Sequence, residues 1–155
     1  MENVDPLIEL NQTVLTDHAQ IFSALVQASR AVDSLTPTDP DPHRLDQVLT
    51  QLEALDEDIR RHFASEEARG LSARLMETLP DASNEISRLS SEHAEMVALL
   101  GRIRGRVRQC SPLAVQELAD DLALLLELLY AHEASEDRLL AAAVETEAGH
   151  VGGRL

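Results

Sequence analysis

The sequence has no lysine: its basic charge rests on thirteen Arg, against 28 Asp and Glu, for a formal net charge of -15. So negative a surface repels phosphate backbones and anionic membranes, which excludes nucleic acid and lipid headgroups as expected partners. Aromatic residues are scarce too, with no Trp, one Tyr and two Phe. A strand-rich fold would lack the aromatic and β-branched residues it prefers, whereas the abundant Leu and Ala supply helices well. No run approaches the roughly twenty apolar residues of a membrane span, and Met1-Glu2-Asn3-Val4-Asp5 is acidic where a secretory leader would be basic. A cytoplasmic location is expected. The single Cys110 cannot form an internal disulfide, which agrees with a reducing compartment, and it reads as a free thiol at a helix end.

What is present is enough for one core, since 155 residues is the size of a single domain. Pro and Gly break the chain at Thr36 to Pro42, at Gly70 and Pro80, and at Cys110 to Pro112, and a Gly-rich flexible tail is expected over 149–155 after a domain spanning 1–148. Four long segments lie between the breaks. Their apolar residues recur at three- and four-residue steps: Leu7, Leu10, Val14, Ile21, Leu25 and Val32; Leu45, Val48, Leu52, Leu55 and Ile59; Ile86, Leu89, Met96, Leu100, Ile103 and Val107; Val115, Leu118, Leu122, Leu125, Leu129, Leu139 and Ala143. That rhythm is the seam of a bundle helix. Asp41 and Ser111 are suited to N-capping, each followed by a Pro fit for the first helical position. Short connections then predict an all-α, antiparallel up-down-up-down four-helix bundle. The stretch from Gly70 to Leu79 reads either as a short extra helix or as a bent continuation of the second.

Polar residues fill the gaps in these seams, in register. His18 falls between Val14 and Ile21, His62 and Glu66 continue the Leu55, Ile59 run, His93 lies between Leu89 and Met96, and His132 and Glu136 lie between Leu129 and Leu139. A lone core His is ordinarily a hydrogen-bonded structural residue, and a buried Glu ordinarily has a cationic partner. No Arg occupies any of the four seams, so bound metal explains six such residues together better than six separate core positions do. Height along the helices agrees. His62 and His132 each lie 20 residues past the Pro that opens its helix, about 30 Å at 1.5 Å per residue, and His18 and His93 each lie 16 residues before the end expected for theirs. All four imidazoles therefore fall in one layer. His62–Glu66 and His132–Glu136 repeat a His and a carboxylate one turn apart on one face. Four imidazoles and two carboxylates suit two metals, with positions left for an oxo or hydroxo bridge and an exogenous ligand, and a donor set without thiolate suits iron or manganese.

The order His, His-x-x-x-Glu, His, His-x-x-x-Glu over four helices, from about Leu7 to Leu140, resembles the hemerythrin-like, or HHE cation-binding, family. The resemblance implies two Fe ions per chain, one held by His18 and His62, the other by His93 and His132, with Glu66 and Glu136 bridging. Oxygen-carrying hemerythrins have a second His one turn after the third-helix His, where this chain has Val97, and their last carboxylate stands five residues after its His, which would select Asp137. Seam geometry favours Glu136 over Asp137. With the extra imidazole lacking, the expected activity is di-iron chemistry with peroxide or dioxygen. The alternatives are a non-catalytic module that senses or binds O2, NO or iron, and an oxidase of a small organic substrate, for which the Leu-filled seams show no pocket. Glu67, Glu92, Glu133 and Asp137 neighbour the site and read as solvated or supporting groups, Glu133 and Asp137 also as proton sources. Tyr130 reads as packing between helices, His43 and His150 as non-ligands, and Arg102, Arg104, Arg106 and Arg108 as a solvated face near a helix C-terminus.

Overall fold

The computed structural model describes residues 5–35, 41–109 and 112–153, and for 112–114 and 151 the backbone alone. Those residues are almost all helical, with no strand among them: α1 (Pro6–Asp33), α2 (Pro42–Ala68), α3 (Leu71–Thr78), α4 (Ser83–Val107) and α5 (Pro112–Gly152), with a single 3-10 turn at Pro80–Ala82. None of these helices is long and apolar enough to cross a membrane.

Local chemistry sets several of the helix ends. Asp5 and Asp41 each cap a helix by accepting a hydrogen bond from the backbone N–H two residues on, at 2.9 Å from Leu7 and 3.0 Å from His43, and each precedes a Pro in the first turn. The cap expected of Ser111, like Cys110, lies outside the described residues. Gly70 ends α2: its φ of +63° is the left-handed conformation that terminates a helix cheaply only in glycine, and its N–H donates to the carbonyl of Glu67 at 3.0 Å. The segment after it is thus a separate helix, not a bent extension of α2. Gly149, expected to open the tail, does not end α5, which continues to Gly152.

The four long helices form a ring of contacts, α1 with α2, α2 with α4, α4 with α5 and α5 with α1, and α3 leans on α2, α4 and α5. Nearly every apolar seam residue is buried; Leu45 is half-buried, and Leu7, Val48, Leu52, Leu55, Ile59 and Leu100 are fully enclosed. At roughly 1.5–3 kcal/mol for each buried aliphatic side chain, this burial dominates the stability of the bundle. The core comes in two pieces. One runs from Ile21, Ile59, Met96 and Leu129 toward Val32, Val48, Val107 and Val115; the other holds Leu7, Val14, Leu89 and Leu139 together with Leu71 and Leu75 of α3. Helix α3 thus supplies the apolar cover that α2 stops providing at Ala68. The layer between the two pieces is polar.

Two surface expectations change. Tyr130 does not pack between helices: it is 69% exposed. Two of the four Arg near the end of α4 are tied down, with Arg104 reaching Asp56 on α2 at 3.1 Å, and Arg106 pairing with Asp121 at 2.7 Å and with Glu117 on α5. They connect neighbouring helices through half-buried ion pairs, while Arg102 and Arg108 are exposed.

Candidate metal centre

The polar layer consists of the six residues that interrupt the seams. His18, His62, Glu66, His132 and Glu136 are buried, and His93 is half-buried. Ligand atoms of His18, His62, Glu66 and Glu136 lie within 4.8 Å of one another, as do those of His93, His132 and Glu136, so Glu136 belongs to both groups. Its Oε1 lies 3.1 Å from Nε2 of His18, and its Oε2 lies 3.4 Å from Nε2 of His132. Glu66 divides itself likewise, with Oε1 at 2.5 Å from Nε2 of His62 and Oε2 at 3.4 Å from Nε2 of His93. Each carboxylate thus turns one oxygen to either half of the layer.

The imidazoles are oriented from behind. Nδ1 of His18 donates to Asp137 at 2.9 Å, Nδ1 of His62 to Asp17 at 3.1 Å and Nδ1 of His132 to Glu92 at 2.9 Å. A carboxylate can only accept, so each pair fixes the proton on Nδ1 and points the Nε2 lone pair inward, the arrangement that raises the basicity of a metal-binding His. Facing pairs result: Nε2 of His18 and His62 are 3.1 Å apart, and Nε2 of His93 and His132 are 3.2 Å apart. Converging lone pairs and carboxylate oxygens repel unless a positive charge lies among them. The buried Oε1 of Glu66 has no hydrogen-bond partner despite its closeness to His62, and a buried polar atom left so is costly. Both features fit a bound cation.

Electrostatics of the protein without metal shows how that charge deficit is met. Burial, then the hydrogen bond and charge of Glu136, push Glu66 up to about 10. Glu136 moves the other way: burial would raise it, but hydrogen bonds from His132, His18 and Glu66 hold it well below the usual carboxylate range. Burial would lower His18 and His132, yet both are raised because the hydrogen bonds to Glu136, and for His132 also Glu92, outweigh it. His93 is lowered to about 4 by burial and the neighbouring His132. Protons thus stand in for cations. Metal uptake at pH 7 is expected to release the Glu66 proton, and to weaken as the pH falls and protons compete for the same atoms. Titrating metal into weakly buffered metal-free protein reads this directly, and uptake without proton release would contradict it.

The supporting carboxylates are where the sequence reading fell short. The sequence places Glu92 and Asp137 near the site but does not show which His each one serves, and it gives no role to Asp17. All three back an imidazole on a different helix from their own. The only signal was an acidic residue directly before His18 and before His93. Glu133 is half-buried, its Oε1 has no hydrogen-bond partner, and burial pushes it up to about 7, whereas Glu67 is exposed. Phe63, also missed as part of the site, stacks on His93 with ring centroids 3.8 Å apart and planes 5° from parallel. His43 and His150 are exposed and outside the cluster. A groove of about 720 Å³ beside His93, lined among others by Phe63, Ser72, Ser90 and Val97, departs from the expectation that the seams leave no pocket.

No curated protein and no solved structure matches the chain at significance. The family model described as the hemerythrin HHE cation binding domain matches residues 10–144, which contain all six residues of the polar layer. With that match over most of its length, and with a buried His and Glu cluster suited to metal, the chain belongs to the hemerythrin HHE cation-binding family.

Proposed function

We propose that the protein is a non-haem di-iron protein of the cytoplasm that reacts with peroxide or dioxygen. In this reading His18 and His62 would hold one iron and His93 and His132 the other, with Glu66 and Glu136 shared between them. The observation that carries this reading is the division of both carboxylates, each with one oxygen toward either imidazole pair. A single tetrahedral ion would leave part of such a donor set unused. An antiparallel up-down-up-down course belongs to the same reading. The guanidinium of Arg44 at the start of α2 donates to the carbonyl of Ser34 at the end of α1, while His18 meets His62 further along both helices, as oppositely directed neighbours would.

An iron pair supplies a store of two electrons, enough to convert two hydrogen peroxide molecules into two waters and one dioxygen. The chain's own residues set the conditions. Asp17, Glu92 and Asp137 hold three imidazoles in the tautomer that binds metal, and the apolar layers above and below exclude bulk water. Glu133 can hold a proton on its buried, unpartnered Oε1 at the edge of the layer. Asp137 already accepts from Nδ1 of His18, which leaves Glu133 the better placed of the two to supply protons. The groove beside His93 favours one second reading, oxidation of a small organic substrate, because a hollow of about 720 Å³ is of the size that takes such molecules.

Aerobic purification followed by metal analysis tests the proposal. About two irons per chain are expected, as in other bundles with carboxylate-bridged di-iron sites, together with near-ultraviolet charge-transfer absorption and consumption of added peroxide. One zinc per chain and no iron uptake under reducing conditions would overturn it.

A further inference from the structure

Three of the four imidazoles are sealed into the polar layer and the fourth is not. Side-chain exposure is 6% for His18, 3% for His62 and 1% for His132, but 23% for His93. His93 is also the one imidazole of the layer whose Nδ1 no carboxylate among the described residues backs; stacking on Phe63 orients its ring instead. Its cluster is the smaller of the two, with His93, His132 and Glu136 against His18, His62, Glu66 and Glu136. Glu66 also turns Oε2 to this half, 3.4 Å from Nε2 of His93, so the two halves differ in exposure and in the backing of the ring, and the His93 half is the one that is open.

What it opens onto is the groove between α2, α3 and α4. Inward, a narrow cavity shares Glu66, Ser72, Ser90 and His93 with the groove and is also lined by Glu136, so groove and cavity adjoin on the solvent-facing side of both carboxylates. The sequence makes this opening in two ways. Gly70 turns the chain away at the end of α2, so that α3 forms a separate wall, and α4 presents Ala94 and Val97, without bulk, one position and one turn after His93. A second cleft of about 200 Å³, between α4 and α5, touches His132, but Glu92 also lines it and accepts from Nδ1 of that ring. It reaches the back of the imidazole and not its metal-facing nitrogen.

We propose that exogenous ligands reach the His93–His132 half of the centre through the α2/α3/α4 groove, past Ser72 and Ser90, over the stacked rings of Phe63 and His93. The inference rests on the two-metal reading above. The ligand class is small and neutral or singly charged. The inner cavity is narrow, about 10 Å³, which limits size, and the net charge of -15 opposes multiply charged anions.

Azide is the probe, added to the iron-loaded, oxidised full-length protein, with the association rate read from the change in charge-transfer absorption. Iron per chain is measured first in every sample. If the wild type holds no iron pair, the functional reading fails, and that result is distinct from a failure of the route. With iron bound, Ser90→Trp and Ser72→Trp, from opposite walls of the groove, are each expected to slow azide association by about tenfold or more, because association rates fall when access is obstructed. Leu128→Trp, in the cleft on the other flank, is expected to leave the rate unchanged. Should either groove variant lose iron, the other decides. Slowing by Leu128→Trp, an unchanged rate in the iron-loaded groove variants, or iron loss from both would overturn the route, since the walls of an access path are not needed to hold metal.

Discussion

Replacing His62 or Glu66 with Ala is expected to remove most of the bound metal and to lower the melting temperature by about 10 °C relative to the metal-loaded wild type, while His43→Ala changes neither. Both residues are buried, so no water ligand easily takes the place of a deleted donor, and the remaining imidazoles and carboxylate crowd together with less positive charge among them. The magnitude follows from linkage. A metal at about a thousand times its dissociation constant stabilises the fold by about 4 kcal/mol, and a kcal/mol moves the midpoint of a chain this size by about 2–4 °C. Chelation of the wild type should produce a similar drop, and the two variants should melt alike with and without chelator. Elemental analysis and thermal melts of the three variants check this. Equal metal content in all of them would show that the buried cluster is not the metal site.

The drop is not expected to be a collapse, because the polar layer is flanked on both sides by apolar packing that does not depend on metal. The protein without metal also has a means of lowering its own charge, in the proton that burial keeps on Glu66 and those that hydrogen bonds favour on His18 and His132. The same protons compete with metal. Stability of the empty bundle and affinity of the site are thus coupled through one small set of atoms.

How much of this is legible in the sequence depends on the range of the interaction involved. The long helices are written in local chemistry: Asp41 before Pro42, and a three-and-four rhythm whose buried members agree with the expected seams nearly residue for residue. The six polar residues are legible for the same reason, as interruptions of that rhythm at matching heights. The eight residues of α3 are too few for a period to show. They form a helix of their own because Gly70 turns the chain and because Leu71 and Leu75 find Ile86, Leu89 and Leu139 to cover, which is a tertiary fact. The pairing of Asp17 with His62 and Glu92 with His132 is likewise hidden, since it depends on which helices are neighbours around the ring. So is the groove at His93, which arises where α2 stops and α4 carries small side chains. Tyr130 shows the opposite error: an aromatic residue two positions before a site His is expected inward by composition, but the helix turns it out to solvent.

Substituting Glu136 is expected to cost most of the metal, and substituting Asp137 only part of its affinity, although the two are adjacent and both carboxylates approach His18. Each residue advances about 100° around a helix, so Glu136 lies about 40° from His132 and Asp137 about 140°. A bulge in α5 could reverse that order, but the helix is regular through this region. The contacts follow: Glu136 is 3% exposed with its oxygens toward Nε2 of His18 and His132, whereas the side chain of Asp137 is 37% exposed and accepts from Nδ1, on the far side of the His18 ring. Asp137 therefore acts on metal only through His18, by fixing its proton and its angle, a role whose loss typically weakens binding about 10- to 100-fold. On the proposed two-metal reading Glu136 would contact both ions, so Glu136→Ala would remove a donor from each at once. Metal content at saturating iron should then be low in Glu136→Ala and near two per chain in Asp137→Ala, with the Asp137 defect appearing only when free iron is limiting. Retention in Glu136→Ala with loss in Asp137→Ala would mean that the loaded protein distorts α5 and brings Asp137 inward, and the bridging assignment would pass to Asp137.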